Sequence, residues 1–258
     1  MQLMHDALME LSVTPRANRD PETVKTKLAH LHEPHIAAIT DLVKEIREAR
    51  GHQGVPYVDP TLGGVHAQVL FLLETPARAA ALGSAMLSPD NDDWTAEHVW
   101  EFYRESGLRR ERCVHWNAVP WFMGDERKNK NAMRSDIEPG LPWLARFIDL
   151  LPGLKLVVTM GAIARQALAL YLLREDAHLL PWLAVAHPSP RVRNTNPLLW
   201  QDIPRAFSVA ARVTAGATET GLSVDLKRRQ DEEPTRMESD CASPPSNHYR
   251  SARPGDHP

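Results

Sequence analysis

Apolar residues fall at two spacings along the chain. Ile36, Ile39, Val43 and Ile46 share one face of a 3.6-residue period, which predicts a helix ending at Arg50-Gly51. Val69-Leu70-Phe71-Leu72-Leu73 is an unbroken apolar run too short for a buried helix, so it reads as a buried strand stopped by Pro76. Val99, Trp100, Phe102 and Tyr103 return to helical spacing between a cap at Asp93 or Thr95 and a stop at Gly107. The same reading gives strands over Cys113–Trp116, Leu154–Val158 and Trp182–Ala186. It gives helices over Leu141–Leu151, Ala162–Leu173 and Leu198–Val213. Strands alternating with helices of this length predict a three-layer α/β/α domain with a central, mostly parallel four-stranded sheet.

The flanks differ from this middle. Leu3, Ala7, Leu8 and Leu11 could line a short helix, but Pro15, Pro21 and Pro34 divide the region, so residues 1–34 read as a partly helical extension before a domain over 35–213. From Thr214 to Pro258 only 10 of 45 residues are apolar, too few to offset the entropy of ordering, which predicts a disordered tail over 214–258.

Composition narrows the class. No apolar run approaches the ~20 residues a membrane helix needs, and the first residues lack the pattern of a secretory signal, so a cytoplasmic protein is expected. Cys113 and Cys241 are too few for a four-cysteine cluster, and no metal or other cofactor is called for. The 258 residues carry 30 Lys+Arg and 33 Asp+Glu, a net charge of −3 that argues against coating nucleic acid indiscriminately. Two segments run the other way: Arg104–Arg134 holds 8 basic and 4 acidic residues, and His187–Arg212 holds 4 and 1. They include Arg127, Lys128, Lys130, Arg191 and Arg193, placed where phosphate contacts would form.

Ligands of open α/β sheets bind beyond the carboxyl ends of the strands, so the loops there carry the chemistry. The first strand leads into Glu74-Thr75-Pro76-Ala77, the second into Asn117-Ala118-Val119-Pro120-Trp121, and the fourth into His187-Pro188-Ser189-Pro190-Arg191. A carboxylate, an amide and an imidazole thus converge on one sheet edge, in loops stiffened by proline. His115 reads as structural. Trp94, Trp100, Trp143, Trp182 and Trp200 read as packing residues, and Asp90-Asn91-Asp92-Asp93 as a solvated loop and helix cap.

In this order and spacing, Val69–Ala77, Asn117, Val157–Gly161 and His187–Arg191 resemble the uracil-DNA glycosylase superfamily over roughly Val55 to Val213. The first motif is nearest the Gly-Glu-Ala-Pro-Gly type, without the cysteines of an iron–sulfur cluster. The resemblance implies hydrolysis of the N-glycosidic bond of a flipped uracil or other deaminated base by a monofunctional enzyme acting as a monomer on DNA. His187 would donate a hydrogen bond to the base oxygen where negative charge gathers. Asn117 would read the base through its paired donor and acceptor. Pro76, Ser189, Pro190, Arg191 and Arg193 would engage the DNA.

The departures redirect the expectation. Thr75 stands where one branch of the family has the Asp that positions water, so catalysis leans on leaving-group stabilisation or on Glu74 or Asp93. Ala77 replaces a bulky Tyr and implies a roomier pocket. Met86 lies near the position of a stacking Phe, with Trp121 as a substitute. The alternative reading is a non-catalytic DNA- or base-binding module on the same fold. A third, an unrelated α/β hydrolase, lacks its Gly-x-Ser-x-Gly elbow.

Overall fold

The computed structural model describes residues 14–51, 54–125 and 130–216. Six strands are present among them: β1 Tyr57–Val58, β2 Val69–Leu73, β3 Met86–Leu87, β4 Cys113–Asn117, β5 Leu156–Met160 and β6 Trp182–Val185. The helices are α1 Pro21–Ala29, α2 Ala37–Arg50, α3 Trp94–Ser106, α4 Arg134–Ile137, α5 Leu141–Asp149, α6 Ala162–Leu172, α7 Pro190–Thr195 and α8 Pro197–Ala215. Four strands form one sheet in the order β4-β2-β5-β6, every pairing parallel, and β1 pairs with β3 apart from it.

Alternation along the strands builds the three layers. Leu70, Leu72, Val114, Trp116 and Val157 point into a core shared with α2, α5 and α6, where Trp116 stacks on Phe147 at 4.1 Å. Val69, Phe71, Cys113, Leu156 and Val158 point the other way, against α3 and α8, with Phe71 stacked on Phe207 at 4.5 Å.

Helix boundaries follow their local signals. Gly51 and Gly107 take φ of 64° and 65° and end α2 and α3, and Asp93 caps α3. The third strand of the sheet begins at Leu156, two residues later than the apolar run predicts. The Leu154 amide closes a turn on the Leu151 carbonyl, and pairing starts only where Leu156 meets Val69. The last helix runs to Ala215, past the predicted boundary, and residues 217–258 of the predicted tail lie outside the described residues.

Two tryptophans read as packing residues are exposed. Trp182 opens the edge strand β6, and Trp94 lies on the outer face of the first turn of α3 with the Arg16 guanidinium 4.4 Å over its ring. The acidic run is solvated only in part: Asp92 is exposed and Asp93 caps α3, but Asp90 and Asn91 are buried.

Asp90 belongs to a buried charge cluster. The Lys27 ammonium, with 0% exposure, donates to Asp59 at 2.9 Å and to Asp90 at 2.7 Å, and Arg110 forks onto both Asp90 oxygens at 2.7 and 3.0 Å. Ser88 and Thr61 donate to Asp59 as well. Two cations and two carboxylates balance. Burial opposes charging Lys27, yet the carboxylates outweigh it and its pKa lies above the ordinary lysine value. Burial likewise opposes ionised Asp59, but Lys27 and the hydroxyl and amide donors hold its pKa below the ordinary range. Through Lys27, α1 is bound to the body of the domain.

His115 is a structural residue. Burial, helped by the Arg110 charge, pulls it down to about 3, and its Nε2 meets the Tyr103 hydroxyl at 2.9 Å. A histidine held below its unfolded value near 6.5 contributes stability that is complete above that value and is lost as pH falls toward the folded value. His115→Gln is therefore expected to lose about 2–3 kcal/mol less than the wild type between pH 7 and pH 4.5, measured by urea unfolding at both. An identical pH slope in the variant would contradict this.

Candidate active site

Parallel pairing brings the carboxyl ends of the four strands to one edge. Asn117 ends β4 opposite Leu73, Glu74 follows β2, Gly161 follows β5, and His187 lies two residues past Val185, the partner of Met160. Asn117, Glu74 and His187, predicted from three distant stretches, thus lie along the same edge.

The loops are held by backbone geometry. Ala118 and Val119 amides donate to the Leu73 and Glu74 carbonyls at 2.9 and 3.0 Å, extending the β2–β4 ladder past the strand ends. Behind them, a Cβ on Gly140 would lie 2.3 Å from the Ala118 carbonyl oxygen, so only glycine fits against this loop. Gly161 has φ of 101°, its amide donates to the Val185 carbonyl at 2.9 Å, and a Cβ there would sit 3.5 Å from His187 Cβ.

Asn117 is 2% exposed, and its Oδ1 is buried without a hydrogen-bond partner. An unpaired buried acceptor costs about 1–3 kcal/mol, so its presence at a site edge calls for a donor from elsewhere. Burial pulls His187 down to about 4. The imidazole is therefore neutral near pH 7 and has one N–H to give. The Ser189 amide donates to the His187 carbonyl at 2.8 Å, and the Ser189 hydroxyl caps α7 by accepting from the Val192 amide at 3.5 Å.

The candidate carboxylates differ in their commitments. Glu74 Oε1 accepts from the Ala132 amide at 2.7 Å, tying the segment before α4 to the end of β2. Asp93 caps α3, accepting from the Ala96 amide at 3.0 Å; burial raises its pKa, while the Ala96 and Thr95 amides act in the opposite sense. Its structural work predicts that Asp93→Ala costs about 1 kcal/mol of stability in urea unfolding, with Asp93→Asn near the wild type because asparagine caps equally well. Equal stability of the alanine variant would remove the cap from the account.

The remaining predicted residues spread more widely. Thr75 and Ala77 are half-buried and Pro76 is buried. Met86 is wholly buried in β3, its carbonyl accepting from Asn91, so it presents no face to a base in this conformation. Trp121 is 6% exposed with the Arg50 guanidinium 3.8 Å over its ring. Arg191 and Lys130 are exposed, and Pro190 begins α7. Arg127 and Lys128 lie outside the described residues. Arg193 is exposed as well, but its guanidinium is engaged: it donates to His98 Nε2 at 3.1 Å and lies 5.8 Å over Trp200.

The basic stretch from Arg104 to Arg134 divides between both edges of the sheet. Arg109, Arg110 and Arg112 precede β4 at its amino end, where Arg110 is consumed by Asp90 and Arg109 pairs with Glu111. His98 is absent from the sequence reading. Its only local signal is a polar residue on the buried face of α3, one turn before Phe102.

The fold and this edge define the class. The uracil DNA glycosylase superfamily model matches residues 45–207, from within α2 to within α8. The chain belongs to the uracil DNA glycosylase superfamily, whose members are typically DNA glycosylases. Among solved structures it is similar to wild-type SMUG2 of Pedobacter heparinus, at 11% identity over 69% of this chain and 82% of that one, with a TM-score of 0.41. No curated protein matches it. Among the described residues, no helix is long and apolar enough to cross a membrane.

Proposed function

We propose that the protein is a monofunctional glycosylase that hydrolyses the N-glycosidic bond of a flipped uracil or other deaminated base in DNA. One observation carries the reading: the unpaired, buried Oδ1 of Asn117 stands at the sheet edge that also holds His187. Uracil offers a ring N–H beside a carbonyl oxygen, which matches the acceptor and donor of the Asn117 amide. Cytosine presents the reverse at one position and leaves a buried polar group unpaired.

Breaking the C1′–N bond sends the electron pair to the base and leaves an oxocarbenium sugar. The His187 N–H donates to the base oxygen that receives the charge. Water adds to C1′, loses a proton to solvent or to a carboxylate, and the released base takes up a proton at its ring nitrogen. Glu74, which directly follows β2 at the sheet edge, is the first candidate to orient that water, and Asp93, the cap of α3, the second. Thr75 cannot serve as a base near neutral pH. Thr75 and Ala77 would border the base, and Ser189, Pro190 and Arg191 would face the DNA, while Pro76, being buried, would stiffen the loop between them.

The alternative reading, a module that binds without cleaving, is favoured by one feature: the Glu74 and Asp93 carboxylates both accept from backbone amides. Purified protein incubated with single- and double-stranded oligonucleotides bearing uracil, hypoxanthine or mispaired thymine, followed by alkali, separates the two. Strand breaks at uracil are expected. Binding with no breaks at any base would leave the module.

A further inference from the structure

His187 sits in a loop pinned from one side by a single imidazole. His98 of α3 is 2% exposed; its Nδ1 lies 3.0 Å from the Pro188 carbonyl oxygen, and its Nε2 lies 3.1 Å from the Arg193 guanidinium. A carbonyl only accepts and a guanidinium only donates. His98 is thereby fixed as the tautomer with the proton on Nδ1, given to Pro188, and the lone pair on Nε2, taken by Arg193. Trp200 backs both partners, with its ring edge-on to His98 at 4.8 Å and beneath Arg193 at 5.8 Å.

The loop is thus attached to α3 at two points, residue 188 directly and residue 193 through α7, which Ser189 caps. His187 lies between the first of these and the Val185 carbonyl held by Gly161. Its backbone is anchored on both sides, so the point from which its ring projects is held in part by the His98 contact.

We propose that His98 and Arg193 form a clamp that positions His187, and that Arg193 acts through His98 rather than by contacting a DNA phosphate. Arg193 sets the tautomer of His98, and His98 holds the peptide carbonyl next to His187. The clamp's role in excision rests on the reading of His187 given above; the clamp itself is a property of the α3–α7 contact.

The test separates rate from binding. In single-turnover excision of uracil at saturating protein, Arg193→Ala and His98→Phe are each expected to be about 10- to 100-fold slower, because a small misplacement of the donor costs that much. Affinity for DNA carrying an uncleavable abasic-site analogue should stay within about twofold. His98→Asn, whose amide restores the donor to Pro188, should recover most of the rate. The double variant should be no slower than His98→Phe alone, as expected of residues in one chain of contacts.

The salt dependence of binding supplies the contrast. Loss of a duplex phosphate contact flattens the plot of log affinity against log salt by about 0.9, which is expected of Arg191→Ala and not of Arg193→Ala. A flattened slope with an intact rate in Arg193→Ala, or additive losses in the double variant, would overturn the clamp. Should the wild type excise nothing, the functional reading fails separately. The clamp is then decided by imidazole nitrogen NMR: the His98 proton must reside on Nδ1, and Arg193→Ala must shift the His187 ring signals. Unmoved His187 signals would refute it.

Discussion

His187→Ala is expected to lower the single-turnover rate of uracil excision by about 10²–10³-fold, the usual cost of removing one preorganised donor from developing negative charge. Binding of abasic-analogue DNA should change far less, because the charge that His187 stabilises exists only as the bond breaks. The pH profile adds an independent signature. Burial pulls His187 down to about 4, so its donor form is complete across the neutral range. The excision rate should therefore show no histidine titration near 6.5 that disappears in the variant. An acid limb centred near that value in the wild type and absent from His187→Ala would mean that the imidazole acts as an exposed, ordinary base. A rate within about threefold of the wild type in the variant would remove leaving-group stabilisation by this residue altogether.

The second large effect lies away from the site. Lys27→Met keeps the length of the side chain and removes its charge, leaving Asp59, Asp90 and Arg110 buried with a net charge of −1. Breaking such a cluster by removing one partner costs about 3–5 kcal/mol, because the surviving charges stay desolvated. Urea unfolding at pH 7 measures it. The double variant Lys27→Met/Asp59→Asn should recover part of the loss, since it restores the charge balance. The paired state of Asp59 also fixes a pH sense. Its carboxyl lies below the ordinary value, so the stability it contributes is complete above about pH 4 and is lost at lower pH, and Lys27→Met should weaken that acid dependence. A loss under 1 kcal/mol would mean that water reaches the cluster.

What could be read from the sequence was local. Val69–Leu73, a cap at Asp93 or Thr95 and the stops at Gly51 and Gly107 declare themselves within a few residues, and the observed boundaries agree, with Asp93 as the cap. The alignment of Glu74, Asn117 and His187 along one sheet edge also followed, because parallel pairing puts the carboxyl ends of all four strands on the same side. What escaped depends on distant partners. Tyr57–Val58 and Met86–Leu87 are strands only because they pair with each other, and two residues carry no periodicity. Asp90 looks solvated until Lys27, 63 residues away, and Arg110, 20 away, are brought to it. Arg193 is exposed, yet the partner that engages its guanidinium, His98, lies 95 residues back in the chain. Charge summed along a segment cannot tell which bases face outward, and that is the quantity a DNA surface needs.

The burial of Lys27 bears on how much polypeptide makes up the unit. The family match begins at residue 45, after α1 has ended, so the portion recognisable by descent omits a residue that neutralises the domain's interior. A polypeptide trimmed to the recognisable portion would lose Lys27 together with the first half of α2 and its buried Ile39, Leu42 and Val43, and would keep a buried, uncompensated carboxylate. The stretch that marks the family and the stretch that neutralises the interior are then different lengths of chain, and the second takes in α1.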